Sequence, residues 1–161
     1  MSALYLPTEL TSGWRDYVGD KGALSAFSQA KIGTMIDKTI EALTKLGILE
    51  AEVESYFGDE QEAGGVFAAA SEVEGLLGRG KHSLVNELRI AWAVHVEGGE
   101  VKKLGALVKK SVEVLGRAEY LLDEVEGFFS GDYQGAEQIA SGVVELRASL
   151  AMSTEAVGIN Y

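Results

Sequence analysis

The sequence predicts an all-α fold: an up-down-up-down four-helix bundle whose second arm is broken near residues 78–80, five helices in total. Three observations predict it. Apolar residues recur at alternating steps of three and four over long stretches, the spacing of a helical seam rather than of a strand. The single proline, Pro7, sits near the N-terminus, so nothing in the interior forbids helix. Glycines punctuate the chain where the apolar stripes stop, at Gly58, at Gly98 and Gly99, and at Gly131.

Residues 1–20 read as a lead segment carrying Trp14 and Tyr17 among Gly13, Gly19 and Gly22. These two aromatics either pack back on the bundle or dock on a neighbouring molecule. The first arm starts near Leu24 and Phe27 and follows Ile36, Ile40, Leu43, Leu46, Leu49, Val53 and Tyr56 or Phe57, with Gly47 as a place for a kink or cap. Residues 60 to 97 form the second arm in two pieces. Val66, Phe67, Val73, Leu76 and Leu77 stripe the first, and Leu84, Val85, Leu88, Trp92 and Val96 the second. Gly78 and Gly80 separate them, and Ser83 is placed to cap the second.

The third arm has the strongest pattern. Leu104, Val108, Ser111, Leu115, Ala118, Leu122, Val125 and Phe129 make an a/d seam, and Leu107, Val114, Leu121 and Phe128 widen it into a face for more than one neighbour. The last helix carries Ala136, Ile139, Val143, Leu146, Leu150 and Val157, with Asp132 or Ser130 as candidate N-caps. Arms of roughly 30 residues span about 45 Å. Short turns between them make sequential neighbours antiparallel.

Charge is segregated along this chain. Residues 50 to 74 and 119 to 137 hold fourteen of the twenty-five acidic residues and no Lys or Arg, so the two windows total −14 and the remainder +3. In an up-down-up-down bundle both windows share one end, and the Gly58 and Gly131 turns become neighbours. The candidate interaction residues follow: Glu50, Glu54, Asp59, Glu60, Glu62, Asp123, Glu124 and Glu126 at that acidic end, Lys102, Lys103 and Lys110 toward the other, with Trp14 and Tyr17 on the lead segment. Within the third arm, residues 100 to 117 carry +3 and residues 118 to 129 carry −4. That order opposes the helix dipole, so helix stability does not explain it.

Composition narrows the classes. A chain of 161 residues with 47% hydrophobic and 24% charged residues is a self-sufficient single domain, residues 1–161. Zero Cys removes disulfides, thiolate nucleophiles and sulfur-ligated metals. The N-terminus lacks a basic segment followed by a long apolar one, and no run of about 18 apolar residues occurs, so the expectation is neither a Sec substrate nor a membrane-spanning protein. A net charge of −11 disfavours nucleic acid and anionic lipid.

Motifs for chemistry are incomplete. The string from Gly75 to Ser83 nearly spells a phosphate-binding loop, but His82 stands where the magnesium-binding hydroxyl belongs and no strand precedes it. Arg79, Lys81 and the following helix N-terminus could hold an isolated anion. His82 and His95 lack the Glu three residues earlier that a di-iron bundle site uses. Asp59, Glu60 and Glu62, and Asp123, Glu124 and Glu126, are dense carboxylates without the spacing of a calcium loop, which leaves loose cation binding. Ser83 beside His82 is explained as a helix cap. No catalytic residue, cofactor or dedicated metal is expected.

Tyr120 and Glu124, on an Ala- and Leu-rich helix, are similar to the Tyr-x-x-x-Asp/Glu signal of small helical type VII secretion substrates. That resemblance implies a secreted helical protein. The accompanying Trp-x-Gly turn is absent, since Trp14 is followed by Arg-Asp and Trp92 by Ala-Val, and the same Tyr spacing recurs at Tyr5, Tyr56 and Tyr133. The leading expectation is a non-enzymatic helical-bundle subunit that acts by protein association, chiefly with its own copies, in a virion, filament or secretion apparatus. The rival is an acidic adaptor or inhibitor that holds a basic protein.

Overall fold

The computed structural model describes residues 4–19, 26–58 and 64–152. Within them the chain is a helical bundle of six helices: α1 (Leu6–Gly19), α2 (Ala26–Phe57), α3 (Gly64–Leu77), α4 (Leu84–Val96), α5 (Lys102–Phe129) and α6 (Glu137–Leu150). A two-residue antiparallel pair, β1 (Leu4–Tyr5) with β2 (Ala151–Met152), joins the start of α1 to the end of α6. Among the described residues no helix is long and apolar enough to cross a membrane.

The count of five helices is corrected by α1. The lead segment is helical because Leu6, Leu10, Trp14 and Tyr17 recur at steps of four and three. Leu6, Leu10 and Tyr17 are buried and Trp14 is packed against the core. Pro7 lies in its first turn, where its missing N–H has no intrahelical acceptor to lose. Trp14 seats against Gly105 of α5, where a Cβ would stand 3.4 Å from its indole. Gly13 of α1 in turn faces Met35 and Ile32 of α2. Trp14 and Tyr17 therefore pack within the bundle.

α2 runs unbroken through Gly47, which remains helical beside Leu77. Ile36, Leu43, Leu46, Leu49, Val53 and Phe57 are all buried. The second arm breaks where the glycines are. Gly78 and Gly80 take positive φ (+69° and +65°), a single 3-10 turn covers Gly80–His82, and Ser83 caps α4 by accepting the Asn86 N–H at 3.2 Å. The phosphate-loop-like string thus joins two helices. Every residue of the α5 seam is buried, and the Ser111 hydroxyl donates to the Leu107 carbonyl at 2.8 Å.

The last turn differs from expectation. Ser130 closes α5 in the left-handed region (φ 50°) instead of opening α6, whose N-cap is Ala136. Asp132 instead accepts the Gln134 N–H at 3.2 Å, within the turn. α6 ends at Leu150, and Val157 lies outside the described residues. α6 covers the C-terminal half of α2, with Gly142 against Leu49 and Lys45 paired to Glu145 at 3.1 Å, while α1 covers the N-terminal half. The β1–β2 pair hands one helix over to the other.

Candidate functional site

Five aromatic rings knit the C-terminal ends of α2 and α5 together. Phe57 meets Phe128 edge-on with centroids 4.9 Å apart, Tyr56 meets Phe129 at 5.7 Å, and Phe129 stacks on Tyr133 at 4.8 Å. Gly58 and Gly131 therefore lie at the same end of the bundle, and the two acidic windows flank this plug. Phe57 and Phe129 are buried by it, whereas Tyr56 and Phe128 each remain 46% exposed.

The acidic end is less negative than the windows alone imply. Eleven of the fourteen carboxylates belong to described residues; Asp59, Glu60 and Glu62 lie outside them. Three arginines that stand outside the windows in sequence reach them in space. Arg147 of α6 contacts Glu119 at 3.1 Å, Asp123 at 3.4 Å and Glu126, which together hold its guanidinium well above its ordinary range, Glu126 foremost. Arg117 pairs with Glu72 at 3.2 Å and Arg79 with Glu74 at 2.8 Å. Eleven carboxylates against three guanidinium groups leave a formal −8, with Glu50 counted as ionised.

Arg147 also marks the junction of α6, α5 and the N-terminus. Tyr5 donates its hydroxyl to Glu119 Oε1 at 2.8 Å, so the acid that anchors Arg147 also ties down β1. Glu124 does something different. It lies over the N-terminal turn of α3, where a Cβ on Gly65 would stand 2.7 Å from its Oε2; glycine makes room for a carboxylate at the positive end of the helix. Tyr120 is about half exposed, and the neighbouring Glu124 carboxylate holds its phenol above the ordinary value.

Glu50 is the outlier among the carboxylates. It projects from α2 into the contact with α3, is only 8% exposed, and its Oε2 has no hydrogen-bond partner. Glu54, one turn later, and Glu74 of α3 bring carboxylate oxygens within 4.8 Å of it. Burial first, then the hydrogen bond and charge of Glu54 and the charge of Glu74, pushes the Glu50 carboxyl up to about 8. Ser71 donates to Glu54 at 3.4 Å, and Glu74 is held below its usual value by a hydrogen bond shared with Glu54 first and then by Arg79, which braces it at 2.8 Å. Position 50 was legible as unusual, because Leu43, Leu46, Glu50, Val53 and Phe57 follow a single seam in which Glu50 alone is charged. The partner Glu74 was not, because only the crossing of α3 over α2 supplies it.

At the other end, Lys102 and Lys103 sit exposed in the first turn of α5, with Lys110 exposed two turns on. Beside them a shallow groove is lined by Ile90, Ala91, Val94, Glu100, Lys103 and Leu104; Ile90 and Val94 are 59% and 52% exposed. Tyr17, by contrast, is buried and faces inward. Its hydroxyl hydrogen-bonds His95 Nε2 at 2.5 Å, and His95 Nδ1 donates to the Gly99 carbonyl at 3.3 Å, which leaves Nε2 to accept from tyrosine. Tyr17→Phe keeps the ring packing but strips Nε2 of its donor. We expect a loss of about 1–2 kcal/mol in urea denaturation, and a loss near zero would show that the hydrogen bond contributes nothing.

Comparisons with protein-family models, with curated proteins and with solved structures returned no match for this chain.

Proposed function

We propose that the protein is a non-enzymatic structural subunit that associates head to tail with copies of itself. In this reading the helices make four antiparallel arms: α2, then α3 with α4, then α5, then α6 continued by α1. The two ends are complementary. One presents exposed Tyr56 and Phe128 within a field of −8, and the other presents exposed Ile90 and Val94 beside Lys102 and Lys103. An apolar patch ringed by charge of one sign fits one ringed by the other, and contacts between unlike ends propagate unless they close a ring.

The single observation that carries this reading is the charge order of α5. Lysines crowd its N-terminal turn and carboxylates its last three turns, each against the helix dipole. A triple variant, Lys102→Glu, Lys103→Glu and Lys110→Glu, tests it by separating stability from association. Acidic residues in the first turn favour the helix by about 0.3–1 kcal/mol each, so the variant should melt no lower than the parent while failing to self-associate in sedimentation velocity. Undiminished association would refute the proposal.

A further inference from the structure

The Glu50 carboxylate carries a second, independent inference. A buried carboxylate oxygen without a partner is costly, and it is satisfied by a proton or by a cation. Glu50 is 92% buried by its 8% exposure, Oε2 is unpartnered, and oxygens of Glu50, Glu54 and Glu74 lie within 4.8 Å of one another. An ion held at about 2.0–2.4 Å by each ligand allows its oxygens to stand up to roughly 4.0–4.8 Å apart, so the spread of the three is within the reach of one ion.

We propose that Glu50, Glu54 and Glu74 bind one hard divalent cation of the magnesium, manganese or calcium class, with water completing its shell. The donor set is all oxygen, which suits these ions and not the softer ones that seek sulfur or imidazole. Glu50 and Glu54 come from successive turns of α2 and Glu74 from α3, so the ion would clip the two helices together beneath the acidic end. Arg79 orients Glu74 from outside at 2.8 Å and brings the local charge of the three carboxylates from −3 to −2, the match for a divalent ion. Ser71 steadies Glu54 in the same way at 3.4 Å.

The inference does not depend on self-association and is tested separately from it. The full-length protein, freed of metal with chelator and dialysed, is titrated with manganese chloride and with calcium chloride by calorimetry, and bound manganese is counted by electron paramagnetic resonance. We expect saturable binding of one ion per chain for at least one of the two. Glu50→Gln and, at the more accessible edge of the cluster, Glu74→Gln should each weaken it by about tenfold or more. Asp123→Asn, at the Arg147 cluster of the same end, should leave it unchanged. Non-saturable uptake by the parent protein, or an equal loss in Asp123→Asn, would mean that the ions belong to a diffuse atmosphere and would overturn the site. Unaltered binding by both glutamine variants would do the same.

Discussion

Replacing Glu50 by glutamine is expected to stabilise the protein at alkaline pH, by on the order of 3 kcal/mol near pH 9 in the presence of chelator, and to change little near pH 5. The folded carboxyl is raised to about 8 from an ordinary value of 4.5, by burial foremost and then by Glu54 and Glu74. A raised acid binds more protons folded than unfolded between those two values. The stability it contributes is therefore fully present below about 4.5 and is lost as pH climbs through about 8. Glutamine imitates the neutral acid and carries no such loss, so the two denaturation curves should converge at low pH and separate at high pH. A difference that is the same at both pH values would contradict the buried, proton-sharing geometry. Added divalent cation should narrow the gap for the parent protein alone, because an ion stabilises the ionised carboxylates that pH otherwise penalises.

Leu10→Ala should cost about 2–5 kcal/mol in the same kind of experiment. Leu10 is fully buried in the cluster that α1 forms with α2 and α5, so removing its side chain leaves a cavity beside the seam. A lead segment that reached outward to a neighbour would lose less than about 0.5 kcal/mol in the isolated chain. The experiment thus weighs whether α1 is part of the hydrophobic core or an appendage, and chemical denaturation followed by circular dichroism reads it directly.

Much of the bundle is written locally in the chain. The α5 seam, the α2 stripe, the glycine break at Gly78 and Gly80 and the Ser83 cap each depend on residues within a turn or two of one another, and each appears in the structure where the spacing places it. α1 was legible too, in Leu6, Leu10, Trp14 and Tyr17. Pro7 does not break that helix because it lies in the first turn, where the cost of proline is small. What local pattern could not supply were the contacts between distant segments. Arg147 stands ten residues past the end of the second acidic window, yet α6 folds it back over Glu119, Asp123 and Glu126. Glu74 meets Glu50 only because α3 crosses α2 there, and the buried pair of Tyr17 and His95 joins residues 78 apart.

The acidic end carries a smaller charge and more structure than its two windows alone imply. Arginines brace its flanks, aromatic rings plug its centre, and Tyr56 and Phe128 stay exposed there. In the proposed contact, attraction between this end and the lysine-bearing groove of another copy would act over about 30 Å at 0.01 M ionic strength and about 3 Å at 1 M. Static light scattering across a protein concentration series at these two ionic strengths tests head-to-tail association most directly. The weight-average mass should rise with concentration at low salt and fall toward that of a single 17.1 kDa chain at high salt. A mass that stays at the single-chain value at every concentration in low salt would contradict it, and would leave an acidic end suited to a different, basic protein.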